Sequence, residues 1–182
     1  MRRIREGRVL SCLLGVGLWL TMSVVGADAA HIDMVALGAS NTAGYGVGAS
    51  AAYPAQLEGL LRAKGYDVTI ANAGVSDETS AQILSRVDSV VTPGIKVVIL
   101  QIFYGNDERH GVSRAETEAN TQAAIARIRA HGAKVVLAGP TVAYAILQSH
   151  HQYDGIHLTD EGHALLAARL LPQVLKEIGR AR

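Results

Sequence analysis

The chain has 182 residues, of which 49% are hydrophobic, 18% charged and 4% aromatic, and its formal net charge is +1. That charge gives no reason to expect a nucleic-acid partner, and so many apolar residues at so low a net charge exclude a disordered chain. Nineteen Gly and four Pro without a short period exclude a fibrous or low-complexity protein, and the length fits one domain with an appended segment.

Residues 1–30 read as that segment. Arg2, Arg3, Arg5 and Arg8 form a basic start, an apolar run extends from Val9 to Val25, and Ala27-Asp28-Ala29-Ala30 follows. These are the three parts of a secretory signal peptide. The competing reading is a retained membrane anchor, but the run is at the short edge of a spanning helix and is broken by glycine. Cys12 lies too early in the run for a lipoprotein. Cleavage would leave one domain at 31–182, periplasmic or secreted, with no stable membrane anchor. The segment carries four Arg against Glu6 and Asp28, so the remainder is close to neutral. It also holds the single Cys and the single Trp, Trp19, so the exported domain has no disulfide and relies on its core. About 150 residues bury roughly 68–70% of the unfolded surface, enough for that.

The predicted elements follow in chain order. Ile32–Leu37 reads as a buried strand stopping at Gly38. Ser50 is the expected cap of a helix carrying Leu57, Leu60 and Leu61 and ending near Gly65. Val68–Ala73 is a second strand, and a helix from Glu78 to Val90 presents Ile83, Leu84 and Val87 on one face. Lys96–Phe103, continuous and β-branched, reads as a strand covered on both faces. Ser113-Arg114-Ala115-Glu116 is a capping box opening a helix to His131, before Gly132. Lys134–Ala138 is the fourth strand. Thr159 caps a last helix with an expected apolar stripe of Ala164, Leu165, Ala168, Leu171 and Leu175, kinked at Pro172. This alternation predicts an α/β fold, a parallel sheet with helices on both faces. The ligand site of such sheets lies beyond the carboxyl ends of the strands, which directs attention to the loops starting at Gly38, Gly74, Tyr104 and Gly139.

Those loops and one C-terminal segment hold the chemistry. Ser40 follows a strand end among glycines that allow a tight turn. Asp154 and His157 are three apart, so one turn brings carboxylate and imidazole together. A serine hydroxyl needs a base, and the base an orienting group. Asn106 and the Gly74 N–H are candidate donors to an oxyanion. Each signal alone is weak: a Ser in a Gly-rich loop is most often a turn residue, and Gly105-Asn106-Asp107 is by default a turn. The first loop lacks the lysine of a phosphate-binding loop. His150, His151, Asp154 and His157 also compose a candidate metal site, without the Cys or H-E-x-x-H pattern that would support it.

Taken together in order, four blocks resemble the SGNH (GDSL) hydrolase superfamily, nearest its thioesterase I/lysophospholipase L1-like branch, over about residues 32–178. They are Ala36–Gly46, Asn72–Ser76, Gly105-Asn106-Asp107 and Asp154-Gly155-Ile156-His157. The resemblance implies a three-layer α/β/α, flavodoxin-like fold with a central parallel sheet of four or five strands. It implies Ser40 as nucleophile, His157 as base and Asp154 as its orienter, with Ser40, Gly74 and Asn106 forming the oxyanion hole. The implied reaction is hydrolysis of a small-molecule acyl ester or thioester, with no metal or other cofactor. Alternatives on the same fold are a carbohydrate O-acetylesterase and a catalytically inactive binding protein. Two departures stand out. The family's Gly-Asp-Ser-Leu is Gly-Ala-Ser-Asn here, so Ala39 removes a carboxylate. Only Thr141–Tyr153 separates the fourth strand from Asp154, where relatives carry another helix and strand. A short fifth strand from Val142–Leu147 is one way to fill that interval; Val142, Ala143, Ile146 and Leu147 are expected to line a small pocket for a short acyl group, with Val142 and Ile146 as candidate substrate-binding residues.

Overall fold

The computed structural model describes residues 30–179. The export reading rests on residues outside that range. In chain order the elements are β1 (Ile32–Gly38), α1 (Ser40–Ala43), α2 (Tyr53–Ala63), β2 (Val68–Gly74), α3 (Ser80–Ser85), α4 (Val87–Val90), β3 (Val97–Gln101), α5 (Tyr104–Arg109), α6 (Arg114–Ala130), β4 (Lys134–Leu137), α7 (Pro140–Leu147) and α8 (Asp160–Gly179).

The strands are all parallel and lie in the order β2-β1-β3-β4. Every β3 residue is buried, as a central strand with helices on both faces requires. Side chains alternate between faces along a strand. Met34, Ala36, Val97 and Ile99 therefore join one core cluster with residues of α2, α7 and α8. Val35, Leu37, Val98 and Leu100 join the other with residues of α3, α4 and α6. The result is the expected three-layer α/β/α architecture. The chain runs outward from β1 to β2, then returns past β1 to β3. That reversal opens a crevice between the carboxyl ends of β1 and β3, where ligands bind in open parallel sheets. No helix among the described residues is long and apolar enough to cross a membrane.

Four local expectations need correction. Ser50 does not cap α2; Ala52 is the N-cap, without a side-chain hydrogen bond, and a proline in the first turn starts the helix. The predicted helix over 78–90 is two short helices meeting at Arg86, and a capping box of Thr79 and Gln82 delays its start to Ser80. Val142–Leu147 is helical, not a fifth strand, so the sheet has four strands. The apolar stripe of α8 is out of phase: Ala164, Leu165 and Ala168 are exposed, and Leu171 and Leu175 are partly buried. The face turned to the core carries His163, Leu166, Ala167, Leu170, Val174 and Ile178. The capping box of Ser113 and Glu116 on α6 is present as expected, and Thr159 Oγ1 accepts from Gly162 N at 3.2 Å at the start of α8.

Candidate active site

Ser40 is the first residue of α1, directly after β1, and is 7% exposed. α1 lies on the strand ends because glycine lines them. A Cβ at Gly38 would collide with Thr42 Oγ1, and one at Gly74 would collide with the backbone of Ala43. Any side chain at either position would push the turn away. Beneath Ser40, the buried Thr42 hydroxyl donates to Gln101 Oε1 at 2.8 Å, which ties the turn to β3. Ala39, where the resemblance leads one to expect Asp, is buried among the residues of the second core cluster.

Asp154 and His157 form the pair that their spacing predicts. His157 Nδ1 lies 2.6 Å from Asp154 Oδ2, while Asp154 Oδ1 accepts from Ile156 N at 2.9 Å and from His157 N at 3.0 Å. The His157 hydrogen bond, with both backbone donors, lowers the Asp154 carboxyl to about 2. It is therefore an anion at any pH where an imidazole is neutral. The Tyr45 ring covers the imidazole, with centroids 4.4 Å apart. The structure records no hydrogen bond between Ser40 Oγ and His157.

Asn106 is in the first turn of α5 and 3% exposed, so the expected turn at Gly105-Asn106-Asp107 is helical. Its Nδ2 donates to Glu78 O at 2.9 Å and its Oδ1 accepts from Arg109 at 2.8 Å. An amide nitrogen carries two hydrogens, so one remains for a ligand. The neighbouring Asp107 fixes this helix: fully buried, it accepts from Ser80 N at 2.7 Å and from Thr117 Oγ1 at 2.6 Å. The Gly74 N–H is differently placed. It donates to Asn72 Oδ1 at 2.9 Å, and the contacts of Gly74 are with the backbone of α1 rather than with the pocket at Ser40.

A pocket of about 20 Å³ opens at Ser40, lined also by Asn106, Phe103, Ala143, Leu147, Ile156 and Leu158. Because 140–147 is a helix, residues four apart share a face, and Ala143 and Leu147 are the pair that reaches the pocket. Ile146, expected to bind substrate, packs instead in the core at 2% exposure. The Val142 side chain lies outside what the structure describes. Among the described residues no three His, Cys, Asp or Glu form a metal-holding group, so His150, His151, Asp154 and His157 do not converge on one point.

Sequence reasoning missed three residues around the site. Asn41 and Gln152 tie the His157 loop to the turn of Ser40. Asp77 has φ 65°, the one non-glycine residue with positive φ among those described. Its carboxylate meets His110 at 3.2 Å and Arg109 at 3.4 Å. The signal for Asn41 is the departure from Gly-Asp-Ser-Leu itself.

Residues 36–153 match the GDSL-like Lipase/Acylhydrolase family. The chain is 30% identical over 120 residues to the Esterase TesA of Pseudomonas aeruginosa, covering 66% of this chain and 60% of that protein. It is 30% identical over 118 residues to the Thioesterase 1/protease 1/lysophospholipase L1 of Escherichia coli, covering 65% and 53%. It thus spans little more than half the length of these curated relatives. A crystal structure of TesA aligns with a TM-score of 0.67 at 25% identity, covering 80% of this chain and 97% of that one. The family match ends one residue before Asp154, and Ile156 and Leu158, on either side of His157, line the pocket at Ser40. The chain belongs to the GDSL-like lipase/acylhydrolase family.

Proposed function

We propose that this protein is an exported serine esterase of the SGNH type, hydrolysing carboxylic esters or thioesters of small acyl groups. One observation carries the reading: Ser40 and Asn106 line one pocket with Ile156 and Leu158, the residues on either side of His157. Ser40 Oγ attacks the carbonyl carbon. His157 Nε2 takes the hydroxyl proton and returns it to the leaving group, while Asp154 holds Nδ1–H and the positive charge that forms. The Ser40 N–H and the free Asn106 N–H receive the oxyanion. The Gly74 N–H joins them only if Asn72 releases it. Water then repeats the sequence on the acyl-enzyme and frees the acid.

Labelling of the purified protein by a fluorophosphonate tests the reading, since an inactive binding protein on this fold leaves the probe unreacted. Asn106→Ala is expected to lower kcat by about 10²–10³ with little change in KM, because the bond strengthens in the transition state. A raised KM at constant kcat would make Asn106 a substrate-binding residue.

The pocket also supports a short acyl group. The cavity at Ser40, about 20 Å³, is close to what one water molecule occupies, and the larger space of about 300 Å³ that adjoins it at Phe103, Leu147 and Ile156 is walled in part by the polar Arg109, Gln148 and His151. Each buried methylene contributes about 0.8 kcal/mol, so a pocket that covers few of them gains little from longer chains. On p-nitrophenyl esters kcat/KM is expected to peak between acetate and butyrate. A steady rise through decanoate would show that a long groove takes the acyl tail. The small pocket equally favours an acetyl group on a sugar, so the substrate panel includes acetylated saccharides.

A further inference from the structure

The loop that carries the general base has no sheet strand to hold it. An isolated antiparallel bridge between His151 and Leu158 closes the loop on itself, and two amide side chains join it to the turn that carries Ser40. Asn41, adjacent to Ser40, donates from Nδ2 to Ile156 O at 3.1 Å and accepts at Oδ1 from Leu158 N at 2.9 Å. Those two groups flank His157, so one side-chain amide spans the backbone on both sides of the base. Gln152 closes the other side. Its Nε2 donates to Tyr45 O and to Leu158 O, both at 2.8 Å, and its N donates to His157 O at 2.7 Å. Gly46, at φ 76°, leaves room for this, since a Cβ there would collide with the Gln152 amide. Together with the Asp154 bonds, these contacts tie down the peptide groups from Ile156 to Leu158.

We infer that Asn41 is a positioning residue: its side-chain amide sets the place of His157 relative to Ser40 by gripping Ile156 O and Leu158 N. The inference rests on the proposed serine mechanism. It assigns a purpose to the replacement of the family's Leu by Asn at this position. An apolar residue after the nucleophile can pack against the base loop but cannot fix its register. Asn41 and Ser40 share one helical turn, so the amide couples nucleophile and base through two hydrogen bonds. Rate is sensitive to such placement, and a shift of about 1 Å can cost on the order of 100-fold.

The test uses the full exported protein and the near-isosteric Asn41→Leu, with Asn41→Ala as a second variant should leucine fail to fold. Either is expected to lower kcat by about 10–100-fold with KM changed less than about threefold, and to slow fluorophosphonate labelling in parallel. The deciding measurement is a double-mutant cycle. If Asn41 acts through His157, adding Asn41→Leu to His157→Ala lowers the residual rate less than about twofold. An equal fall in both backgrounds would overturn the inference, as would a single variant with wild-type kcat. Hydrogen exchange at the Leu158 amide is read alongside. It is expected to quicken in Asn41→Leu whether or not the protein hydrolyses esters, and unchanged exchange would overturn the clamp. Wild-type protein that neither labels nor hydrolyses would instead sink the serine mechanism and leave the exchange result to judge Asn41.

Discussion

Ser40→Ala is expected to abolish labelling by a fluorophosphonate and to lower kcat by about 10⁴–10⁶, with the melting temperature unchanged. On the proposed mechanism the size follows from the unit character of a triad: once the nucleophile is gone, base and orienter have nothing to activate, and only binding and oxyanion stabilisation remain. Stability is spared for local reasons. Ser40 opens α1, where its hydroxyl caps nothing, and alanine is the better helix former. The turn is held by Thr42 on Gln101, by Asn41 on the base loop and by the glycines at the strand ends, none of which the substitution touches. Circular dichroism and a melting curve therefore separate loss of chemistry from loss of fold. Comparable hydrolysis by the purified variant would sink the serine mechanism. Asn106→Ala, which removes one donor and leaves the nucleophile, should retain far more activity than Ser40→Ala.

The strands were legible because a buried parallel sheet has a local signature. Val97 to Gln101 are all covered, and a run of β-branched residues says so without any partner being known. The start of α6 was legible because Ser113 and Glu116 satisfy each other within one turn. The phase of α8 was not, because apolar residues occupy more than one side of that helix and its buried face begins with a histidine. His163 is fully buried and accepts from Tyr53 N at 3.2 Å. Burial lowers it to about 4, so it sits in the core as a neutral ring. A pattern that counts histidine as polar chooses the wrong stripe. The interval before Asp154 misled for a related reason: residues 142–147 suit a strand or a helix equally, and the packing of Ile146 between sheet and α8 decides. Within the candidate site, the blocks pointed to Ser40 and Asn106, which line one pocket, and to Asp154 and His157, which are hydrogen-bonded. They did not reveal that Asn72 takes the Gly74 N–H or that Asn41 reaches Ile156 and Leu158 across 115 and 117 residues of sequence. The partners of Asn41 lie too far along the chain to be read locally, and the departure from Gly-Asp-Ser-Leu is the one trace of them.

Asp154→Asn should lower kcat by about 10⁴ while leaving the loop folded, a combination that isolates the role of the charge. Asp154 does two separable things. Oδ1 accepts from Ile156 N and His157 N, and an asparagine carbonyl oxygen can do the same. Oδ2 faces His157 Nδ1 at 2.6 Å, and here the amide presents N–H instead. Two donors cannot share that contact, so the imidazole changes tautomer and carries its proton on Nε2, where it cannot accept one from Ser40. The pH dependence gives a second reading. The folded carboxyl, lowered to about 2 from an ordinary 3.8, contributes stability above the unfolded value, and this is lost as pH falls from about 4 through about 2. The asparagine variant lacks that ionisation, so its melting temperature should fall less steeply with acid across the same window. Asp154, lowered to about 2, stays charged across the neutral and mildly acid range and does not set an acid limb of kcat/KM there. Asp154→Ala provides the contrast, because it removes the loop bonds as well and should lose thermal stability along with activity. An asparagine variant within about tenfold of wild-type kcat would show that the carboxylate merely shapes the loop.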